Sequence, residues 1–231
     1  MSESARVTVK WWGQAAFWLS DGRTCVVTDP YTPELLGYSP ITDEADLVIR
    51  SSHDDAAHCR SDLIGGDLAV IDALELALGE GRAEARGIEV EAILAAEGEG
   101  RPGGEVPGQN GMYRFELGGI RFAHMGDVGN PLTPEQMGFF EGTDVLLALT
   151  GGELVIDLLD LMEMIGRARP RLVIPMHFRT LTYRPRNSLW IESFLALWDD
   201  GDVDFAFGCE AVLEAARLPR RTRVLVLDYA R

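Results

Sequence analysis

The 231-residue sequence contains little cysteine, little histidine and no long hydrophobic run, and these shortages exclude several classes of protein. Its three cysteines are widely spaced and form no CxxC pair, which argues against a disulfide framework and a thiolate zinc cluster. No apolar run approaches the ~20 residues that a membrane-spanning helix needs. The N-terminus lacks the basic and then apolar pattern of a signal peptide. We therefore expect a cytoplasmic protein.

Positive charge is also scarce, because 21 basic residues face 37 acidic ones and give a net charge of −16. A surface of this charge repels phosphate backbones and anionic bilayers. Nucleic acid and membranes are therefore poor partners, and we expect a small-molecule substrate. A homo-oligomer is compatible with the sequence, which leaves the oligomeric state open.

Hydrophobic residues are abundant and make up 46% of the chain. At this length the composition supports one substantial core. No linker-like segment divides the sequence, so we predict a single domain over residues 1–231. Short β-rich runs open the chain as an antiparallel meander and later alternate with amphipathic segments, which indicates an α/β fold of layered sheets covered by helices. The predicted strands are 7–12, 16–19, 25–28, 47–50, 68–71, 90–95, 112–117, 120–123, 145–149 and 172–175, and the clearest predicted helices are 134–140, 156–168 and 188–198.

One stretch, residues 97–110, reads EGEGRPGGEVPGQN and holds five glycines and two prolines. Such a composition predicts a long loop, and loops of this length are usually functional. We expect these residues to form a flexible flap over the site, beginning at Glu97.

All four histidines lie at or just after the end of a predicted strand, where loops carry sites in layered α/β folds. His53 and His58 belong to the segment RSSHDDAAHCR. His124 stands in FAHMGDVGNP, and His177 stands in RLVIPMHFRT. Two imidazoles and two carboxylates so close together in the first segment are typical of half a metal site, or of a solvated turn.

These segments, taken in order with VKWWGQAAFWL, VVTDPY and a final apolar strand, resemble the metallo-β-lactamase-fold zinc-dependent hydrolase-like proteins. Within that superfamily the sequence is most similar to the branch related to sugar-phosphate lactonases and N-acyl-phosphatidylethanolamine phospholipases. The resemblance covers nearly the whole chain, and the fold that it implies is a four-layer αββα sandwich. It also implies two metal ions, held by the pattern H-x-H-x-D-H, a later His, an Asp in a G-D turn and a final His.

The resemblance places candidate metal ligands in this sequence and shows that the pattern is altered. His53 takes the first position of H-x-H-x-D-H, and Asp55 replaces the second His. Ala57 replaces the Asp, and His58 takes the last position. The later His corresponds to Glu97. The candidate metal ligands are His53, Asp55, His58, Glu97, Asp127 and His177.

Two alternatives to this assignment stay open. A register shifted by two residues would place Ser51, His53 and Asp55 in the first three positions and would exclude His58. We prefer the first register because it keeps more ligands. At the later position, Glu99 could act in place of the glutamate two residues before it.

The preferred register divides the ligands into two half-sites, of which the second is the stronger candidate because it keeps two imidazoles. Two imidazoles with one carboxylate form an established ligand set for zinc or non-haem iron, and added carboxylates favour harder cations such as Mn²⁺. Ala57 can neither bind metal nor orient water, so a protein without metal also stays open. The half-sites are His53, Asp55 and Glu97, and His58, Asp127 and His177.

Four further residues have expected roles around these ligands. We expect His124 to be buried and structural, and Asp29 to orient the histidine loop by hydrogen bonding. Arg179 and Tyr183 follow the last histidine and are candidate substrate-binding residues, since an arginine fork suits phosphate or carboxylate. A solvated basic loop is the alternative for this segment.

The sequence is compatible with two functions. The first is a metal-dependent hydrolase that acts on a small ester, lactone or phosphoester, with Asp127 and His58 as catalytic residues. The second is a catalytically silent protein of the same fold that keeps the cleft as a binding or scaffold module, which the altered ligand pattern favours.

Overall fold

The fold was established from a computed structural model, which describes residues 6–54, 56–97, 106–152 and 155–231. Over these residues, one sheet contains six strands and the other contains eight. The strands are β1 Arg6–Gly13, β2 Ala16–Ser20, β3 Cys25–Thr28, β4 Leu47–Arg50, β5 Ala69–Asp72, β6 Arg82–Ala85, β7 Ile88–Glu97, β8 Val106–Leu117, β9 Ile120–His124, β10 Val145–Leu149, β11 Leu172–Met176, β12 Val203–Phe205, β13 Glu210–Glu214 and β14 Arg223–Val226. The helices are α1 Pro33–Leu36, α2 Ala73–Leu78, α3 Pro134–Phe139, α4 Leu158–Ala168 and α5 Ile191–Leu195.

The strand order is β13-β1-β2-β3-β4-β5 in the first sheet and β12-β14-β11-β10-β9-β8-β7-β6 in the second. β1, β2 and β3 pair antiparallel, which confirms the predicted opening meander. β3, β4 and β5 then run parallel, as do β9, β10, β11 and β14 in the other sheet. Each sheet therefore has an edge at which the carboxyl ends of several strands lie together, the usual place for a site in such folds.

The two sheets share one core. Trp11 of the first sheet and Phe122 of the second are fully buried in the same apolar cluster. α4 adds a stripe at three- and four-residue spacing, formed by Leu161, Met164 and Ile165. Each such side chain stabilises the fold by about 1.5–3 kcal/mol when it is fully buried. The α/β sandwich with sheets inside and helices outside, implied by the resemblance, is confirmed.

The three predicted helices are present, and each spans fewer residues than predicted. α4 begins two residues later than predicted, because the carboxylate of Asp157 accepts a hydrogen bond from the backbone N–H of Leu159 and caps the helix. α5 covers only the middle of the predicted segment. Among the described residues, none of the helices is both long enough and apolar enough to cross a membrane.

The predicted loop over residues 97–110 is wrong at both ends. Glu97 is the last residue of β7, and residues 106–110 belong to β8. The ladder between these two strands extends to the pairs Ala95–Asn110 and Glu97–Val106 and supplies backbone hydrogen bonds that a loop lacks. The glycine-rich middle, 98–105, lies outside the described residues, so the flap stays a prediction.

Candidate metal centre

Four strand ends carry the candidate site. Asp29 follows β3, the segment 51–58 follows β4, Asp127 stands three residues after β9, and His177 directly follows β11. Hydrogen bonds and ion-pair contacts link these positions across the two sheets. The parallel topology is therefore what brings residues so distant in sequence to one place.

Three buried side chains, those of His58, Asp127 and His177, meet at this edge. Their potential ligand atoms all lie within 4.8 Å of one another. Nε2 of His58 lies 3.5 Å from Oδ2 of Asp127, and Nε2 of His177 lies 3.2 Å from Oδ1 of the same carboxylate. The structure thus brings together the half-site that the sequence favours, with the carboxylate between two imidazoles.

Asp29 fixes the orientation of His58. Its fully buried carboxylate accepts hydrogen bonds from Nδ1 of His58 at 2.9 Å, from the hydroxyl of Ser51 at 2.6 Å and from the N–H of Ser51 at 2.7 Å. Because Nδ1 of His58 is directed at Asp29, Nε2 is the ring nitrogen that faces Asp127 and that could bind a cation. The expected orienting role of Asp29 is confirmed.

His124 is fully buried and supports the turn that carries Asp127. Its Nε2 donates to the carbonyl of Ala15 at 2.9 Å, and its Nδ1 accepts from the N–H of Gly126 at 2.9 Å. Both ring nitrogens are therefore used by a neutral imidazole, and burial lowers the pKa of His124. The expected structural role is confirmed.

Asn110 holds the same turn from the other side, and sequence reasoning missed it because it was assigned to the loop. Its Oδ1 accepts from the N–H of Asp127 at 2.9 Å, and its Nδ2 donates to the carbonyl of Met125 at 3.0 Å. Gly126 lies between them with φ +64°, and a Cβ there would come within 2.1 Å of Oδ1 of Asn110. No local pattern signals this contact, since its partners lie 15 and 17 residues along the chain.

We expect Asn110→Ala to weaken zinc binding by about tenfold, because the backbone that positions Asp127 loses its support, and supporting partners typically change metal affinity by about 10 to 100-fold. Calorimetric zinc titration measures the change. Asn130→Ala is the matched control, since Asn130 bonds to Ala96 and Pro131 rather than to Asp127. Equal losses in both variants would contradict the assigned role of Asn110.

His177 is held by an unusual backbone conformation. It has φ +60°, and its N–H donates to the carbonyl of Gln14 at 2.9 Å, where Gln14 itself has φ +51°. A Cβ at Gly151 would lie 2.4 Å from the carbonyl oxygen of His177, so the close approach there requires glycine. Residues in sparsely populated conformations cluster at functional sites. Gln14 therefore contributes to the site through its backbone.

Among the described residues, the group of side chains close enough to share a cation does not include His53. Its imidazole is half exposed, and its Nε2 lies 2.7 Å from Oδ2 of Asp72, a carboxylate that Arg50 also holds. Glu97 is buried, and its backbone forms a β-bridge with Val128, the residue after Asp127. The remaining candidate of this half-site, residue 55, lies outside the described residues.

The two candidate substrate-binding residues differ in position. Tyr183 is buried, and its ring centroid lies 6.5 Å from that of His177. The guanidinium of Arg179 lies 4.8 Å from the centroid of Trp190, a ring that is 41% exposed. Tyr183 thus packs beside the candidate ligand His177, whereas Arg179 stacks on the partly exposed ring of Trp190.

Residues 8–177 match the sequence profile described as a beta-lactamase superfamily domain, and this range includes the three clustered side chains. The chain belongs to the metallo-β-lactamase superfamily. It is similar to a candidate Zn-dependent hydrolase of this superfamily from Thermotoga maritima, with 27% identity, a TM-score of 0.75 and coverage of 97% of this chain and 100% of that one.

Two further solved structures share the fold. One is a candidate metal-dependent hydrolase from Parabacteroides distasonis, with 13% identity, a TM-score of 0.64 and coverage of 96% and 94% of the two chains. The other is Igni18, a metallo hydrolase from Ignicoccus hospitalis, with 21% identity, a TM-score of 0.59 and coverage of 95% and 94%. Neither likeness identifies a branch within the metallo-β-lactamase superfamily.

The protonation of His58 and Asp127 in this superfamily member follows from their burial and contacts. Burial disfavours a charged His58, but the nearby carboxylates of Asp127 and Asp29 outweigh that effect and hold the pKa of His58 well above its usual value. Burial also disfavours a charged Asp127, but the imidazoles of His177 and His58 hold the pKa of that carboxyl well below its usual value. Without metal, the cluster therefore favours a carboxylate beside a protonated imidazole.

This charge pattern predicts how the stability of the metal-free protein depends on pH. The raised pKa of His58 contributes stability that is fully present below its unfolded pKa, about 6.5, and is lost as the pH rises through the folded value. The lowered pKa of Asp127 contributes stability that is present above about pH 4 and is lost as the pH falls through the folded value. We therefore expect the melting temperature of chelator-treated protein to fall as the pH rises through the folded pKa of His58.

Thermal melts from about pH 5 to about pH 10 test this dependence. Asp29→Asn removes one of the two carboxylates that raise the pKa of His58, so its alkaline decline should begin at lower pH than in the parent. A melting temperature that rises steadily across the alkaline range would contradict the charge pattern.

Proposed function

We propose that the protein is a metal-dependent hydrolase that acts on a small ester, lactone or phosphoester and uses one divalent cation. The observation that carries the proposal is the buried cluster of His58, Asp127 and His177, with its potential ligand atoms within 4.8 Å of one another. The similarity to solved proteins described as candidate metal-dependent hydrolases of the same superfamily supports it.

The residues of the cluster fit a cation. Among the described residues, neither Nε2 of His58 nor Nδ1 of His177 has a hydrogen-bond partner, although both atoms are buried. Leaving such a buried group unsatisfied costs about 1–3 kcal/mol, which a ligand at the site would offset. Two imidazoles and one carboxylate suit zinc or non-haem iron. A bound divalent cation would polarise a carbonyl or phosphoryl group and lower the pKa of water.

The protein's own residues would perform the remaining tasks. Asp127 stays ionised at neutral pH because its pKa is held well below the usual value, so it can hold a cation and orient an attacking water. His58 is kept in one tautomer by Asp29. Tyr183 would pack against the body of a substrate, and Arg179 would bind an anionic group on it.

A catalytically silent member of the superfamily is the second candidate function. Two observations favour it: Ala57 occupies the position of a lost carboxylate, and His53 is bonded to Asp72 instead of lying with the cluster. Such a protein would keep the cleft as a binding or scaffold module. We propose a cytoplasmic location for either function.

Elemental analysis of protein purified without chelator, followed by assays with a lactone, a carboxylic ester and a phosphodiester, tests the proposal. We expect about one equivalent of metal and hydrolysis of at least one substrate that stops on chelation. Protein that stays free of metal after incubation with Zn²⁺, Mn²⁺ and Fe²⁺ would overturn the proposal. One equivalent of metal without hydrolysis of any substrate would favour the silent protein.

A further inference from the structure

A second cavity, of about 500 Å³, lies at the other end of β11 from the metal centre. It opens to solvent and is lined by the C-terminal part of α4, by Trp198 after α5 and by the segment 220–222 before β14. Arg171, which lines it, directly precedes β11, whereas His177 directly follows that strand. At ~3.3 Å per residue, about 20 Å of strand separates the two positions, so the cavity is distinct from the metal centre.

The lining of this cavity combines an apolar wall with concentrated positive charge. Met162, Ile165 and Trp198 provide the apolar surface, and none of the lining residues is acidic. In a chain with 37 acidic and 21 basic residues, such a composition is opposite to that of the molecule as a whole. The basic lining residues are Arg169, Arg171, Arg220 and Arg221.

Two of the four arginines are engaged within the protein, and two are available to a ligand. Arg171 donates to backbone carbonyls, including that of Pro219 at 2.9 Å, and Arg221 forms an ion pair with Asp202 at 2.5 Å. Arg169 makes a single long hydrogen bond, 3.4 Å, to a carbonyl of its own helix. Arg220 is exposed, and within the described part of the chain its guanidinium forms neither a hydrogen bond nor an ion pair.

Trp198 contributes its ring to the apolar wall. Its indole N–H is buried and has no hydrogen-bond partner among the described residues. This N–H is out of reach of solvent, so the donors that the cavity presents are the guanidinium groups of its arginines. The cavity therefore offers apolar contact area together with donors and positive charge, and it offers no carboxylate.

We propose that this cavity binds an amphipathic organic anion, with its apolar body against Met162, Ile165 and Trp198 and its carboxylate or phosphate on Arg169 and Arg220. Guanidinium groups bind both kinds of anion through charge-assisted hydrogen bonds. The volume is within the range of about 300–1,000 Å³ that small-molecule sites occupy. The site is independent of hydrolysis at the metal centre.

Calorimetric titration of the full chain with octyl phosphate and with octanoate tests the proposal and distinguishes the two head groups. We expect at least one to bind, and we expect octanol and inorganic phosphate to bind at least about tenfold more weakly, since each lacks one half of the ligand. Equal binding of octanol would show that charge is not recognised, and absence of binding by both anions would overturn the proposal.

The variant Arg169→Gln with Arg220→Gln should weaken binding of the anion by at least about tenfold. Its matched control is Arg6→Gln with Arg23→Gln, which removes the same charge from the opposite sheet. Both control arginines are exposed, one in β1 and one in the turn before β3. Tryptophan fluorescence provides a second measurement. It should change when the anion binds, and Trp198→Phe should abolish that change. Equal weakening in both charge variants would show a general charge effect and overturn the site.

Discussion

Replacing His177 should reduce zinc affinity by at least about 100-fold, whereas replacing His53 should leave it within about threefold. Partners that only support a ligand change metal affinity by about 10 to 100-fold, so loss of a direct ligand belongs at or beyond the upper end of that range. His177 contacts Asp127 at 3.2 Å within the buried cluster. His53 is half exposed and bonded to Asp72, so its removal leaves the cluster intact.

The choice of substitution matters because His177 has a positive φ. Asparagine adopts this conformation more readily than alanine does, so His177→Asn separates loss of the imidazole from backbone strain. Competition with a chromophoric chelator measures the affinity of this variant and of His53→Ala. Melting temperatures in excess chelator verify that both variants fold. A loss in His53→Ala as large as that in His177→Asn would show that His53 joins the site when metal binds.

The cluster could be predicted from sequence because the resemblance implied its members, and the strand-end position of each was consistent with that assignment. His58, Asp127 and His177 each stand close behind an apolar run, and parallel pairing then fixes their neighbourhood. The orienting carboxylate, Asp29, was predictable for the same reason, since it follows β3. The sequence can therefore predict the location of a residue that directly follows a strand.

The orientation of His53 could not be predicted in this way. It depends on Asp72, which lies 19 residues later in the chain and also caps α2. The competing carboxylate of Asp72 lies at the end of a neighbouring strand, and nothing in the sequence around His53 indicates this contact. Asn110 illustrates the opposite case, since glycine and proline nearby indicated a loop where the ladder with β7 continues. In both cases a tertiary contact overrides the local signal.

The second large effect is expected at Ala57, which the preferred register aligns with the Asp of the H-x-H-x-D-H pattern. Ala57 is buried in an apolar cluster that includes Trp12, Tyr31, Tyr38 and Tyr183. Ala57→Asp would place a carboxylate among these rings, which in metal-free protein costs about 1–3 kcal/mol unless the group finds a partner. For a chain of this size that corresponds to a fall in melting temperature of roughly 2–12 °C.

Zinc should reverse this loss in Ala57→Asp, because the new carboxylate stands directly before His58 and can join the cation as a further ligand. We therefore expect the rise in melting temperature on adding zinc to be larger than in the parent, and the zinc affinity to be higher by about tenfold or more. Adding Asp55→His, which restores the second position of the family pattern, should raise the affinity further.

Ala57→Asn is the matched control for this prediction, since its amide has nearly the same size and buries a similar polar group without a charge. It should destabilise metal-free protein as the aspartate does, and it should gain little from zinc, because neutral amides are weaker zinc ligands than carboxylates. If the two variants gain equally from zinc, position 57 is not directed at the metal, and the register that aligns it with the lost ligand is wrong. If Ala57→Asp alone gains affinity and hydrolysis of the substrate panel rises with it, the missing carboxylate is what limits this chain as a hydrolase.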